Sequence, residues 1–269
     1  MIQHKLSHIH PDAIIGKNVT IDAFVSIQKD VIIGDNTWIG SNATILSGTR
    51  IGDNCKIFQG AVIGAEPQDL KFEGEYTLVE IGNNVTIREY ATVNRGTEVN
   101  GKTIIKDNAL LMSYVHVAHD CIIGNNCVLA SYVGLAGHVE VEDFAILGGY
   151  AAVHQFIKIG QHAFIRGASL VTKDVPPFIK AVRDPIHFSG VNIVGLRRRG
   201  FERHEITNIE DIYRVIFNKG LNTTQAVDYI KENMMEKHHV DTIINFIENS
   251  TRGIIKGNIL NGHKVGTAV

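Results

Sequence analysis

The chain is short of several things that would place it quickly. Its 269 residues include three cysteines, one tryptophan and five prolines, and its longest aliphatic stretches run only a few residues. Three cysteines, an odd number without disulfide or zinc spacing, give no covalent framework and point to a reduced, cytoplasmic protein. The opening residues, MIQHKLSH, carry no apolar segment, so no signal peptide is expected. No run is long enough to span a bilayer. A strong charge of either sign is also missing: 26 Lys and Arg face 28 Asp and Glu, for a net −2. That balance gives no support to a global role on nucleic acid or on a membrane surface.

What is present is a repeat. Stepping by six from Ile9 gives Ile15, Ile21, Ile27 and so on to Val171, and 26 of these 28 slots are aliphatic. A helical period of 3.6 does not produce this, nor does simple alternation. A second column, four residues after each slot, is small or β-branched: Val19, Val25, Ala43, Cys55, Ala91, Cys121, Cys127, Ala145. The residue after the slot is often glycine, as at Gly16, Gly34, Gly52, Gly124 and Gly160. Each unit therefore reads as a short strand plus a corner, with the aliphatic side chain filling a narrow interior. Three units per coil make a triangular prism of about 18 residues per turn, its coils about 4.8 Å apart. All three cysteines fall in the small inward column and read as core filler.

Two slots break the series. Asp69 and Glu75 are acidic, so residues 65–80 should leave the prism as an external loop, and 96–102 is a second candidate. The repeat runs out near the Val-Pro-Pro that follows Asp174. Helical spacing then takes over with Ile206, Ile209, Tyr213, Ile216 and Phe217, followed by helices over Thr223–Met235 and Val240–Ile247. The expected organisation is mainly β, a parallel β-helix over 1–190 and a C-terminal α-helical domain over 191–269. That domain ends in a loose tail from about Gly257.

The winding lets neighbours be computed. His119 lies below Gly137, which lies below Gln155; Asp120 stacks under His138; Ala118 and Ala136 share the column of His154; and His116 is close by. This edge admits three readings. An imidazole there suits general-base chemistry on a hydroxyl, with the Gly137 amide facing a developing oxyanion. His116, His119 and His138 suit zinc. Polar edge residues without a role are the third.

The repeat resembles the hexapeptide-repeat acyltransferases, which fold as left-handed parallel β-helices; the handedness comes from the resemblance, since ordinary crossovers are right-handed. A fuller set of motifs resembles one family closely: VHVAHDC from Val115 to Cys121, LAGH ending at His138, VHQF ending at Phe156, QDLK from Gln68 to Lys71 and NRGT from Asn94 to Thr97. GVN ending at Asn192, GLRRRGF from Gly195 to Phe201 and STRG from Ser250 to Gly253 complete it. That family is the acyl-[acyl-carrier-protein]–UDP-N-acetylglucosamine O-acyltransferases, the first enzymes of lipid A synthesis.

The resemblance implies transfer of a 3-hydroxyacyl group from acyl carrier protein to the 3-hydroxyl of UDP-N-acetylglucosamine. His119 would be the general base, Asp120 its supporting acid and the Gly137 amide the oxyanion donor. Asp69, Lys71, His116, His138, His154 and Gln155 match substrate-pocket residues, and Asn192, Arg198 and Arg199 match nucleotide contacts. Val194 departs from the acidic residue expected there. Gly167 aligns with the gauge of acyl-chain length, with Phe164 beside it, and favours a long donor. His162 and His187 fall outside the cluster and read as structural. No metal or coenzyme is implied. The family is homotrimeric with sites between subunits, and Arg166, Lys173, Lys180, Arg183 and Arg203 are candidates for docking the acidic carrier protein. The related UDP-3-O-acylglucosamine N-acyltransferase, which carries a uridine-binding domain before its repeat, is the alternative; here the repeat begins at Ile9. A zinc-dependent hydratase of the same fold is the alternative from another class.

Overall fold

The structure is a computed structural model that describes residues 1–234 and 239–257, together with the backbone of 259–260 and 263–264. From Ile2 to Val171 the chain winds as two- to four-residue strands separated by corners, and successive strands visit three flat faces in turn. The first face has 12 strands, the second nine and the third eight. The pairings in the coil are parallel, and most are in register at 18 residues: Ile2 with Thr20, His116 with Gly134, Glu140 with Lys158.

The interior is what the two columns require. Ile27, Ile45, Ile63, Ile87, Leu111 and Leu135 are fully buried, as are Val25, Ala43, Ala61, Ala91 and Val115. Each large aliphatic slot contributes on the order of 2 kcal/mol of burial. Cys55, Cys121 and Cys127 are buried and unpaired. Burial pushes their thiols up, Cys55 to about 11 and the other two to about 12, so they are inert filler.

The corners carry a feature that periodicity does not reveal. At most corners the third residue after the slot adopts a left-handed backbone; it is glycine at Gly48 and Gly60 but elsewhere bears a side chain, and Asn18, Asn36, Tyr90, Asp120, His138 and Phe156 all have φ between 56° and 64°. Asparagine and aspartate tolerate this conformation through local hydrogen bonding. The aromatic residues there are supported differently, by stacking coil upon coil. Tyr90, Tyr114, Tyr132 and Tyr150 form a ladder with centroids 5.3, 4.8 and 4.7 Å apart along the edge between the first and second faces.

Two coils are longer than 18 residues. Lys56 pairs with Thr86, a step of 30, and Thr86 pairs with Leu110, a step of 24. The extra residues leave between the strands Val62–Ala65 and Leu78–Ile81, and between Thr92–Asn94 and Lys102–Ile105. Both loops therefore spring from the edge joining the second and third faces. Val99 sits in the second of them and is 75% exposed, so this slot of the hexad series is aliphatic by coincidence and does not point inward.

The first face continues past the expected stop at 174–177. Ile179–Val182 pairs in parallel with the strand Phe164–Ile165, and His187–Val191 turns back antiparallel to it. Four helices follow among the described residues: α1 (Ile193–Arg198), α2 (Arg203–Asn218), α3 (Thr223–Asn233) and α4 (Val240–Glu248). Helix α2 buries Ile206, Ile209, Tyr213 and Ile216 on one side, and the Tyr213 hydroxyl donates to the Pro177 carbonyl at 2.7 Å. Of the expected loose tail, residues 258, 261–262 and 265–269 lie outside the described residues, as does Met235, and 259–260 pair with 263–264 as a two-stranded ribbon.

Candidate active site

The edge between the second and third faces gathers most of the candidate residues. His119 and Asp120 form the corner after the strand His116–Val117; Gly137 and His138 form the corner one coil on; His154, Gln155 and Phe156 form the next. The Asp120 side chain is fully buried, and His119 is 13% exposed. Their side chains meet at 2.8 Å, His119 Nδ1 to Asp120 Oδ2. A carboxylate oxygen accepts, so the shared hydrogen belongs to Nδ1 and Nε2 is left as the basic nitrogen.

Gly137 is needed here for space. A Cβ on it would stand 2.5 Å from His119 Cε1 and 2.6 Å from Nε2, far inside contact distance. The bare Cα leaves room for the imidazole beneath the coil above. The amides of Ala136 and His138 are taken by the carbonyls of Val153 and His119, while no acceptor meets the Gly137 N–H among the described residues.

His138 packs edge-on against His119, centroids 5.1 Å apart, and stacks on Phe156 at 4.5 Å. Its Nε2 is 3.7 Å from Asp120 Oδ2. Burial pulls its pKa below the ordinary histidine value; Asp120 and Asp69 oppose this, and His119 reinforces it. Burial likewise lowers His116, whose Nδ1 shares a hydrogen with Thr92 Oγ1 at 2.8 Å. Both rings are therefore neutral at pH 7 and able to donate as well as accept. His154 and Gln155 are exposed on the same edge.

The loops enter from below. Asp69 and Lys71 lie in the first loop, where Lys71 N–H donates to Asp69 Oδ1 at 3.0 Å. They line a cleft of about 480 Å³ with Phe72, Glu75, Thr97 and Glu98. Thr97, on the wall of this cleft, also hydrogen-bonds Asp120, so the cleft borders the histidine edge.

The remaining candidates are not brought to that edge. Asn192 is buried as the N-cap of α1, accepting from Gly195 N–H at 3.3 Å and donating to the His162 carbonyl at 3.0 Å. Arg199 lies over the Phe144 ring at 5.3 Å, and Arg198 is exposed beside it. His162 and Phe144 are corners between the third and first faces, so this group occupies a second edge of the prism. Gly167, exposed in the corner between the first and second faces, occupies the third edge, at the end of the tyrosine ladder. Phe164 precedes it on the first face. Of the basic residues named for docking, Lys173 and Arg183 line a cleft of about 460 Å³ with His187 and Lys256, and Lys173 Nζ donates to the Arg252 carbonyl at 2.6 Å.

Three ligand atoms from His119, Asp120 and His138 lie within 4.8 Å of one another. This differs from the trio suggested by spacing: His116 is not in the group, and its Nδ1 faces Thr92 Oγ1. The loops also supply something the 18-residue winding could not anticipate. Thr97 N–H donates to Asp120 Oδ1 at 3.0 Å, and its hydroxyl donates to Oδ2 at 2.7 Å.

A three-sided coil of hexads, with a histidine–aspartate pair on one edge, defines the class of bacterial hexapeptide transferases. The family model described as bacterial transferase hexapeptide matches residues 30–65 and 102–137, and that of UDP N-acetylglucosamine O-acyltransferase, domain 2, matches 174–255. The chain is 55% identical over 253 residues to the acyl-[acyl-carrier-protein]–UDP-N-acetylglucosamine O-acyltransferase of Sulfurihydrogenibium sp., covering 91% of this chain and 93% of that one. It is 56% identical over 201 residues to the enzyme of the same name from Aquifex aeolicus, covering 74% and 77%. The crystal structure of a UDP-N-acetylglucosamine acyltransferase from Bacteroides fragilis superposes with a TM-score of 0.92 at 49% identity, covering 95% of this chain and all of that one. The fold is the left-handed parallel β-helix with a C-terminal helical region. The chain belongs to the acyl-[acyl-carrier-protein]–UDP-N-acetylglucosamine O-acyltransferase family.

Proposed function

We propose that this protein transfers a 3-hydroxyacyl group from the thioester of acyl carrier protein to the 3-hydroxyl of UDP-N-acetylglucosamine, with His119 as general base. The observation that carries the mechanism is the pairing of His119 Nδ1 with the buried Asp120, which leaves Nε2 basic beside Gly137, whose amide has no acceptor among the described residues. Nε2 takes the proton from the sugar hydroxyl as its oxygen attacks the thioester carbonyl. The oxyanion of the tetrahedral intermediate is met by the Gly137 N–H. Collapse breaks the carbon–sulfur bond, and the departing thiolate recovers the proton from Nε2.

In this reading Asp69, Lys71, His116, His138, His154 and Gln155 hold the sugar and the hydroxyacyl chain. Arg198 and Arg199 hold the diphosphate through planar, multidentate donors. Asn192 would set the start of α1 beneath them. Nucleotide and base residues lie on separate edges of one chain, which supports a homotrimer whose sites each combine edges of two chains. The bare corner at Gly167 leaves an acyl groove open and favours long donors. A cytoplasmic setting suits the acyl carrier protein and the three unpaired thiols, and the product would enter lipid A synthesis.

Turnover of the wild type and of His119→Ala with 3-hydroxyacyl carrier protein and UDP-N-acetylglucosamine tests the proposal. A loss of at least about 100-fold is expected; a variant that keeps most of its turnover contradicts the base assignment. A zinc-dependent hydratase is the second reading, favoured only by the His119, Asp120 and His138 cluster. It requires stoichiometric zinc in active enzyme, which metal analysis would reveal.

A further inference from the structure

The second external loop holds a residue that the reaction scheme has not used. The strand Thr92–Asn94 is followed by seven residues before Lys102–Ile105 resumes the third face, and this detour is what makes its coil 24 residues long. The detour closes on itself. Gly96 lies so near the backbone of Lys102 that a Cβ would collide with its amide nitrogen and Cα. Gly101 N–H donates to the Thr97 carbonyl at 2.8 Å, and Glu98 N–H donates to Glu75 Oε1 of the first loop at 3.2 Å.

The fold of this loop delivers Thr97 to Asp120. Thr97 is 6% exposed, and all three of its donor contacts go to that one carboxylate: its N–H to Oδ1 at 3.0 Å and to Oδ2 at 3.2 Å, and its hydroxyl to Oδ2 at 2.7 Å. Thr103, in the strand that ends the loop, accepts from Asp120 N–H at 2.8 Å. Asp120 itself has a left-handed backbone with φ 60°. A fully buried carboxylate in that conformation would be costly without such partners. Oδ2 accepts from Thr97 Oγ1 and from His119 Nδ1 together, so the hydroxyl anchors the same oxygen that holds the ring.

We infer that Thr97 is a positioning residue of the reaction. It acts through Asp120 to hold the His119 ring in the tautomer and rotamer that present Nε2 to the substrate, and the six-residue insertion exists to place it there. The inference rests on the base reading of His119 given above. It adds a third member, drawn from a loop, to the pair read from the coil.

The test compares steady-state kinetics of wild type, Thr97→Val, Thr97→Ser and His119→Ala over a pH range. Thr97→Val keeps the backbone donor and the shape but deletes the hydroxyl. It is expected to lose about tenfold in kcat with an unchanged KM for the sugar nucleotide. Its acid limb should move to higher pH, because a carboxylate with one donor fewer holds more charge against the imidazolium and favours it. Thr97→Ser restores both quantities. An unshifted acid limb, a change confined to KM, or a Thr97→Ser variant as impaired as Thr97→Val overturns the inference. His119→Ala separates the two levels: if it turns over normally, the base reading has failed, whereas an inactive His119→Ala beside a normal Thr97→Val removes only the role of Thr97. Thermal melts accompany every variant. Should Thr97→Val not fold, Thr97→Ala against Thr97→Ser gives the same comparison of no hydroxyl with hydroxyl.

Discussion

An imidazole becomes a directed base when one nitrogen is held and the other left open. In the proposed base reading, His119 is held by Asp120 and given room by the missing side chain at residue 137. Gly137→Ala should therefore be severe out of proportion to its size. A methyl 2.5 Å from His119 Cε1 must displace the ring, because the backbone on which it would stand is locked into the coil. At least a tenfold loss of kcat is expected with a melting temperature within a few degrees of wild type; unchanged turnover would show that the ring has another resting place. This part of the site was legible in the sequence, since an 18-residue winding stacks His119 under Gly137 and Asp120 under His138. Thr97 was not legible. The six inserted residues break the arithmetic, and nothing in the run of residues says where a loop returns. The left-handed corners were hidden for a different reason: aromatic residues occupy them by stacking on neighbouring coils, which no local propensity reports.

At the scale of elements, the hexad rule succeeds where the coil is regular and misleads where it is interrupted. Val93 and Val99 occupy consecutive slots, yet Val93 is fully buried and Val99 is exposed. Val99→Asp should change stability by less than about 0.5 kcal/mol, while Val93→Asp, burying an unpaired charge, should cost about 4 kcal/mol or more. Chemical denaturation of the two variants checks this, and similar losses for both would place Val99 in the core after all.

Helices α2 to α4 were legible from their apolar spacing, whereas α1, with six residues, is too short to show a period. Its capping residues meet an aromatic cluster of Phe144, His162, Phe178 and Phe201: Asn192 donates to the His162 carbonyl and Arg199 lies over the Phe144 ring. Burial, then Arg199 and His239, push His162 down to about 4 despite Asp143, and its Nδ1 has no partner among the described residues. A histidine depressed in the folded state stays neutral there while the unfolded chain takes up a proton. Stability is then full above about pH 6.5 and falls as the pH drops toward about 4, by on the order of 1 to 3 kcal/mol. His162→Phe, which continues the stack between Phe144 and Phe178, should flatten that acid slope in thermal melts from pH 7.5 to 4.5. A slope identical to that of the wild type would assign the acid sensitivity elsewhere.

At the scale of the whole molecule, the prism distributes its functions. The histidine pair and both loops sit on one edge, Asn192, Arg198 and Arg199 on another, and Gly167 on the third. The sequence announced the prism but could not say how far apart these groups stand, because the helical region does not follow the winding and its docking position cannot be counted off. A single chain therefore carries every part of the proposed site without assembling it, and the account requires other copies to complete it. Mixing His119→Ala chains with Arg198→Ala/Arg199→Ala chains, each inactive alone, tests this most directly. After co-assembly, about a quarter of the interfaces should join an intact histidine edge to an intact arginine edge, so activity should return to roughly that fraction of the wild-type level. A mixture that co-assembles and remains as inactive as its parents would contradict a site shared between chains.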